Sequence, residues 1–360
     1  MLYLKNISLV QFKNYSSIDF PFHERIIAIC GNNGVGKTNL LDAIYYLCFT
    51  KSYFTKSDLQ NIQHGSTGFR TEGCFELNGH EHQVLCIVRE DSRKELFIDG
   101  DQYEKFSSHI GKFPALIIAP DDVQIIIGGS EERRKFLDAQ ISQMDQGYLQ
   151  KLIQYNKILQ HRNSFLKSMG ENRPADTHLL DAYDEQLCGS GSYLFQQRTA
   201  FLNQMLPLAR EFYISISGMD EGLEIEYESQ LSQSSFQELL QEFRQKDILF
   251  QRSLAGVHKD EIQILFNGLP FKSLASQGQR KSLLFALKLA AFELLKRNKG
   301  FSPILLLDDV FEKLDTLRMN HLLNRVCLQN QGQIFITDTD RSRIAQQMQG
   351  LALSHQLIEL

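Results

Sequence analysis

Alternation of apolar and polar positions predicts β-structure over the N-terminal third of the chain. The predicted strands are Leu2–Leu9, Arg25–Cys30, Gly73–Leu77, Gln83–Arg89, Lys94–Ile98 and Ala115–Ala119. Asn78-Gly79 and Asp99-Gly100 lie between neighbouring strands and favour tight hairpin turns, because these residues tolerate left-handed backbone. The segment Lys37–Phe49 instead has the apolar spacing of a helix. We therefore expect a β-meander interrupted by one helix.

Beyond Pro120 the apolar spacing changes to three and four residues, which predicts helices. These are Glu131–Asp145, Tyr148–Lys167, His178–Leu187 and Tyr193–Phe212, with a loop at residues 170–176. Helices and strands then alternate: Leu223–Glu228, a helix near Ser235–Gln245, Ile262–Phe266, Gln277–Lys296, Ile304–Leu307, Thr316–Leu328 and Gln333–Thr337. This alternation is typical of parallel strands joined by crossover helices. The sequence thus predicts an α/β fold with an inserted helical arm.

Composition narrows the class of protein. The 360 residues leave room for two or three folding units, and 42% apolar with 22% charged residues excludes wholesale disorder. Because the net charge is −5, any nucleic-acid contact must use a local basic patch. The six cysteines and ten histidines lack metal-ligand spacing, so no zinc site is predicted. No apolar run reaches the roughly 20 residues of a membrane span, and we expect a soluble cytoplasmic protein.

One motif points to nucleotide chemistry. It fits G-x-x-x-x-G-K-[ST] and reads Gly31-Asn32-Asn33-Gly34-Val35-Gly36-Lys37-Thr38. A predicted strand precedes it and a predicted helix follows, so backbone N–H groups and the positive end of the helix can surround phosphates. Lys37 would reach the β- and γ-phosphates and Thr38 would bind Mg²⁺. A glycine-rich turn before a helix is the alternative, but the context favours a site for ATP and Mg²⁺.

A second motif supplies carboxylates. The apolar strand Ile304–Leu307 ends in Asp308 and Asp309, as a Walker B element does. Asp308 would join the Mg²⁺ shell, and Asp309 would position or deprotonate the attacking water. Taken alone, such a pattern is more often a turn or a helix cap.

A third motif, Ser276-Gln277-Gly278-Gln279, precedes a long predicted helix. A hydroxyl and a glycine at a helix N-terminus can bind an anion, although an ordinary N-cap explains them too. In the order P-loop, S-x-G-Q, Asp-Asp and Lys313-Leu314-Asp315, the chain resembles the ABC-type ATPases with their signature motif and D-loop. That resemblance implies a head-to-tail dimer in which the signature motif of one subunit completes the γ-phosphate site of another.

Several further segments resemble the RecF family of bacterial repair ATPases, which belongs with the SMC-like ATPases. They include Phe12–Tyr15, Lys51–Tyr53, Glu132–Asp138, Tyr155–Asn163 and Gly256–Glu261. The resemblance implies an ATP-dependent homodimer that binds double-stranded DNA and single-strand/double-strand junctions and loads RecA together with RecO and RecR. It also assigns nucleotide contacts to Lys13, Ser276, Gly278, Gln279 and Thr337, with Thr339 as the alternative to Thr337. Gln124 is the candidate Q-loop glutamine, and a surface residue without a role is the alternative for it. Asp309 stands where transporters have the longer glutamate, so we expect slow ATP hydrolysis.

The helical arm contains a candidate DNA surface. Residues 131–167 hold seven basic and four acidic side chains, and we expect Arg133, Arg134 and Lys135 to contact phosphates. A solvated helix face is the alternative. Two roles are open for His258: it contacts the nucleotide or the partner subunit, or it forms a structural hydrogen bond.

The predicted domains are residues 1–125, the N-terminal part of the ATPase head; 126–250, the arm; and 251–360, the C-terminal part of the head. The alternative function is the nucleotide-binding subunit of an ABC transporter. The large separation of Lys37 from Ser276 and the absence of a switch histidine argue against it.

Overall fold

The computed structural model describes residues 1–169, 177–309, 316–350 and 353–360. The predicted loop at 170–176 and the predicted D-loop at 313–315 lie outside these ranges. Contacts divide the chain into two units. Unit 1 comprises residues 1–122, 215–218 and 291–360, and unit 2 comprises residues 123–214 and 219–290.

The strands and helices follow in chain order. The strands are β1 (Leu2–Phe12), β2 (Tyr15–Pro21), β3 (Ile26–Cys30), β4 (Gly68–Leu77), β5 (His80–Arg89), β6 (Lys94–Ile98), β7 (Asp101–Gln102), β8 (Ala115–Ile118), β9 (Leu223–Glu228), β10 (Glu261–Phe266), β11 (Leu269–Pro270), β12 (Ile304–Leu307), β13 (Ile334–Asp338) and β14 (Gln356–Glu359). The helices are α1 (Lys37–Phe49), α2 (Gln124–Ile127), α3 (Ser130–Met144), α4 (Gln146–Met169), α5 (Thr177–Ser217), α6 (Phe236–Phe250), α7 (Phe271–Leu274), α8 (Gln277–Lys299), α9 (Thr316–Leu323) and α10 (Arg341–Gly350). A π-helical turn, Asn324–Leu328, follows α9 where the sequence predicted one continuous helix.

A parallel sheet in unit 1 carries the chemistry-bearing motifs. Its strand order is β14-β3-β13-β12-β8, and all four neighbouring pairs are parallel. Strands β3, β8, β12 and β13 are buried along their whole length, which explains their continuous apolar runs. Because the strands are parallel, the segments that follow β3, β12 and β13 emerge at the same edge.

An antiparallel sheet in unit 1 has the order β2-β1-β4-β5-β6-β7 and contains the predicted meander. Its turns at Asn78-Gly79 and Asp99-Gly100 have positive φ at both residues, as the sequence predicted. Helix α1 contacts β1, β4 and β5 of this sheet and β8 and β13 of the parallel sheet. A Cβ on Gly73 of β4 would lie 2.7 Å from Leu47 Cδ1, so the glycine permits the close packing of α1. The helix that follows the P-loop is therefore fixed on two sides.

Unit 2 contains the helical insert and a small sheet of order β11-β10-β9. Helix α5 runs without a break for 41 residues, where the sequence predicted two helices separated near residue 190. That prediction is wrong because Gly191 serves packing: a Cβ there would lie 2.4 Å from Phe236 Cε1. Within the described residues, no helix is long and apolar enough to cross a membrane.

Buried charges hold unit 2 together. Arg198 donates to Asp138 at 2.9 Å and to Asp260 at 2.8 Å. Residues 251–290, which the sequence assigned to the head, cluster instead with the helical insert. Two ion pairs explain this assignment. Asp260 pairs with Arg198 of α5, and its neighbour Glu261 pairs with Arg133 of α3.

Candidate nucleotide-binding site

The P-loop connects β3 to α1 with the geometry that its sequence predicts. Gly34 and Gly36 have φ of 84° and 121°, which side chains with a Cβ rarely adopt. A Cβ on Gly36 would lie 2.6 Å from Asn14 Nδ2 and 2.8 Å from Tyr15 Oη. Asn14 Nδ2 donates to Val35 O at 2.8 Å, and the Tyr15 hydroxyl donates to Gly36 O at 3.0 Å. Asn14 and Tyr15 therefore support the loop, a role that sequence reasoning missed.

Lys37 lies against the loop that precedes it. Its Nζ donates to the backbone oxygens of Gly31 at 2.8 Å and Asn32 at 3.0 Å, and the side chain is buried. The ammonium is thus held at the position where the loop and the first turn of α1 converge. Amide donors, a helix N-terminus and a held cation together fit a phosphate group.

Lys13, predicted to contact nucleotide, has a different partner. Its Nζ lies 2.5 Å from Oδ2 of Asp42, a fully buried residue of α1. The same carboxylate accepts hydrogen bonds from Ser52 Oγ at 2.6 Å and from Tyr53 N at 2.7 Å. In this structure the Lys13 ammonium therefore stabilises α1 and the loop that follows it, and its contact with nucleotide stays a prediction.

Asp308 and Thr38 meet beside the P-loop. The Thr38 hydroxyl lies 2.9 and 3.0 Å from the two carboxylate oxygens of Asp308. Burial raises the pKa of Asp308 to about 6, while hydrogen bonds from Thr337 and Thr38 lower it and the charge of Asp309 raises it further. A buried carboxylate beside a hydroxyl supplies the oxygen donors that Mg²⁺ takes together with phosphate oxygens. The arrangement fits a Mg²⁺-nucleotide.

Thr337, predicted to meet the γ-phosphate, connects the two aspartates. It is fully buried at the end of β13, and its hydroxyl donates to Asp308 Oδ1 at 2.8 Å. The backbone N–H of Asp309 donates to the same hydroxyl at 2.8 Å. Asp309 itself is partly exposed and has φ of 43°. Thr337 therefore positions both aspartates, and its contact with the γ-phosphate stays a prediction.

The signature motif begins α8 in unit 2. Ser276 N donates to Gln279 Oε1 at 2.8 Å, and Gln279 N donates to Ser276 Oγ at 3.2 Å. These reciprocal bonds form a capping box, so the N-cap interpretation is correct for Ser276. Because Ser276 Oγ accepts in this pair, its hydroxyl hydrogen is left for another acceptor. Ser276 and Gln277 are exposed and Gly278 is partly exposed, so the motif can both cap the helix and bind an anion.

Gln279 is held by a residue that the sequence did not identify. Its Nε2 donates to Glu221 Oε1 at 3.0 Å, and the Glu221 carboxylate also accepts from the Tyr213 hydroxyl. Tyr213 belongs to α5 and is fully buried. Glu221 therefore connects the signature motif to the end of α5 through hydrogen bonds.

Gln124, the predicted Q-loop glutamine, is the exposed first residue of α2. It follows Asp122, which accepts from Ala119 N at 2.8 Å and from the Tyr53 hydroxyl. The division between the two units falls directly after Asp122. Gln124 thus lies where the chain enters unit 2, and its catalytic role stays a prediction.

The position of Arg133 argues against its predicted DNA contact, whereas the contacts of Arg134 and Lys135 stay predictions. Arg133 is buried and makes four hydrogen bonds, two with Glu261 and one each with the backbone oxygens of Ile125 and Gly128. Arg134 is partly buried and donates to Asp260 O at 2.7 Å. Lys135 is exposed and pairs with two glutamates of its own helix. Arg133 is a structural residue because its guanidinium is already satisfied inside unit 2.

His258 has a structural environment. Burial lowers its pKa to about 4, so the ring is neutral at pH 7. Its Nδ1 lies 2.7 Å from the Tyr155 hydroxyl and its Nε2 lies 3.1 Å from Ser253 O. Among the residues that the structure describes, no three His, Cys, Asp or Glu side chains form a metal-binding cluster.

Comparison with known proteins agrees with this geometry. The family model of the RecF/RecN/SMC N-terminal domain matches residues 3–357. The chain is 42% identical to the DNA replication and repair protein RecF of Flavobacterium johnsoniae, over 95% of both chains. It is also 42% identical to RecF of Cytophaga hutchinsonii, over 95% of this chain and 91% of that one.

Solved structures give the same result. The structure of the recombination mediator protein RecF with ATP in the RecFOR pathway superposes with a TM-score of 0.87 at 30% identity, over 95% of this chain and 93% of that chain. The Smc head domain from Pyrococcus furiosus has a TM-score of 0.56 at 15% identity, over 96% of this chain and 92% of that chain, and shares the fold alone.

Proposed function

Because the chain belongs to the RecF family of DNA replication and repair proteins, we propose that it is an ATP-dependent recombination mediator. ATP brings two copies together, and the dimer binds double-stranded DNA and single-strand/double-strand junctions. With RecO and RecR, it helps to load RecA at gaps. The observation that carries this proposal is the contact between Thr38 of the P-loop and the buried Asp308, because it joins the two nucleotide motifs in one site.

Each residue of the site has a distinct task in this proposal. Lys37 and the N–H groups of residues 31–38 bind the phosphates, and Thr38 and Asp308 hold Mg²⁺. The ion supplies positive charge to the phosphate oxygens when it is bound. Thr337 keeps Asp308 and the Asp309 backbone in place, and Asp309 orients the attacking water. Gln124, at the start of unit 2, is the candidate Q-loop glutamine that responds to the bound nucleotide.

Dimerisation gives the signature motif its function. Ser276 is exposed and Gly278 is partly exposed at the start of α8, where the helix dipole favours an anion. We place them against the γ-phosphate bound by a second copy. ATP hydrolysis, which DNA stimulates and which is slow because Asp309 is a short carboxylate, then separates the copies. No observation favours the alternative of a transporter subunit.

The proposal is tested by measuring binding to a fluorescent gapped duplex with ATP, with ADP and without nucleotide. We expect ATP to tighten DNA binding of the parent protein and to have no effect on Lys37→Ala, because the variant lacks the ammonium that binds two phosphates. Equal DNA affinity of the parent under all three conditions would contradict the proposal.

A further inference from the structure

A loop of unit 2, residues 251–260, presents positive charge at the surface, and we call it the cationic loop. Arg252 and Lys259 are exposed, and neither forms an ion pair with any of the residues that the structure describes. Arg134 lies beside the same loop, because its guanidinium donates to Asp260 O at 2.7 Å. Three cations therefore border one short segment.

Hydrogen bonds close the loop on itself. His258 Nε2 lies 3.1 Å from Ser253 O, which brings the two ends together. Arg252 precedes Ser253 and Lys259 follows His258, so this contact places the two cations near each other. Partial desolvation of its ammonium group and the charges of Arg252 and Arg134 lower the pKa of Lys259, while the charge of Asp247 raises it.

A buried polar network fixes the loop from beneath. Arg162 is fully buried and donates to Asp247 at 2.7 Å and to Ser253 Oγ at 2.8 Å. Asn163 Oδ1 accepts from Ser253 N at 2.7 Å. Burying charges in this way carries a large desolvation cost, and its best-attested benefit is a specified conformation.

The carboxylates around the loop are already bound inside the unit. Asp247 pairs with Arg162, Asp260 pairs with Arg198, and Glu261 pairs with Arg133. They offset the buried cations, so Arg252 and Lys259 remain as exposed charges that repel each other. An anion between them would relieve that repulsion.

We propose that the cationic loop is a DNA-contact surface that binds backbone phosphates through Arg252 and Lys259, with Arg134 at its base. This inference rests on the DNA binding given under the proposed function. It replaces the surface at Arg133, whose charge is consumed inside the fold. Arginine and lysine contacts with phosphates position DNA without reading its sequence. The loop therefore contributes affinity and salt dependence without sequence preference.

The test compares two double variants of the whole protein with matched charge changes. Arg252→Gln/Lys259→Gln neutralises the loop, and Lys157→Gln/Lys167→Gln removes two exposed lysines of α4. DNA affinity is measured with ATP over a range of salt concentrations. Each lost phosphate contact makes the negative slope of log affinity against log salt less steep by about 0.9 and lowers the affinity at 0.1 M salt by roughly tenfold. We expect both changes for the loop variant and neither for the α4 variant.

The possible outcomes separate the inference from the proposed function. Parent-like DNA binding by the loop variant, or an equal loss in both variants, overturns the inference while DNA binding by the parent stands. Failure of the parent protein to bind DNA overturns both. Arg252→Lys/Lys259→Arg preserves the charges and must retain the parental salt slope, and a loss in this variant also overturns the inference. Circular dichroism and ATP titration of every variant verify the fold and the nucleotide site.

Discussion

Asp308→Asn should stabilise the nucleotide-free protein. Burial raises the pKa of Asp308 from its ordinary value of 3.8 to about 6, which measures the cost of keeping the carboxylate charged inside unit 1. A rise of about two in the pKa corresponds to roughly 3 kcal/mol of destabilisation of the charged form. Asparagine keeps the shape and an oxygen acceptor for Thr38 and Thr337, and it carries no charge. The variant should therefore unfold with a free energy up to about 3 kcal/mol larger than the parent at pH 7.5.

The pH dependence gives this prediction its sign. Between pH 3.8 and about 6 the folded parent binds its proton more tightly than the unfolded chain does, so the parent loses stability as pH rises through this window. Above about pH 6 the carboxylate is charged in both states, and the folded parent bears the full cost of burying that charge. The stability difference between variant and parent should thus be largest near pH 7.5 and nearly vanish by about pH 4.

Urea unfolding of both proteins at several pH values, followed by circular dichroism, measures this difference. Asp121→Asn, at an exposed position, is the control and should change stability little. Mg²⁺-ATP should protect the parent much more than Asp308→Asn, because the variant lacks the carboxylate that we assign to the ion. A pH-independent difference, or a destabilised variant at pH 7.5, would refute the reasoning.

Three further predictions concern chemistry, coupling and structure. Asp309→Asn should slow single-turnover ATP hydrolysis by about a hundredfold or more and prolong the ATP-bound dimer on DNA, and parental turnover would show that Asp309 does not act on the water. Glu221→Ala should leave ATP affinity unchanged and weaken ATP-dependent dimerisation, with Glu221→Gln restoring it; sedimentation with and without ATP decides this. Arg133→Ala should lower the free energy of unfolding by about 1–3 kcal/mol, because the partly exposed Glu261 and the backbone oxygens of Ile125 and Gly128 lose their donor, while the salt slope of DNA binding stays parental. A changed salt slope in a folded Arg133→Ala protein would show that Arg133 contacts DNA after all.

The sequence predicted the parts of the fold in which pattern and burial coincide. Helix α1 and strand β12 were predicted with the observed bounds, Lys37–Phe49 and Ile304–Leu307. A continuous apolar run specifies a buried parallel strand, and the glycines and lysine of a P-loop have few other uses together. The positions of Thr38 and Asp308 followed from these elements.

The remaining features depend on tertiary partners that lie far apart in the sequence. A count of charges could not show that Arg133 is buried against Glu261, because a basic helix segment has the same sequence pattern whether its side chains are exposed or paired. The sequence predicted a break between Leu187 and Tyr193, yet α5 is continuous there and Gly191 packs against Phe236. Glu221 carries no local motif, and only its hydrogen bonds to Gln279 and Tyr213 reveal its role.

The central claim is that ATP joins two copies through the P-loop of one and the signature motif of the other. Sedimentation velocity of the parent, Lys37→Ala and Ser276→Arg with Mg²⁺-ATP tests it most directly, combined with an ATP titration of each. Ser276→Arg should bind ATP like the parent and remain a monomer, because the substitution places bulk and charge opposite the γ-phosphate. Lys37→Ala should neither bind ATP nor dimerise. A Ser276→Arg protein that dimerises with ATP as the parent does would contradict the account.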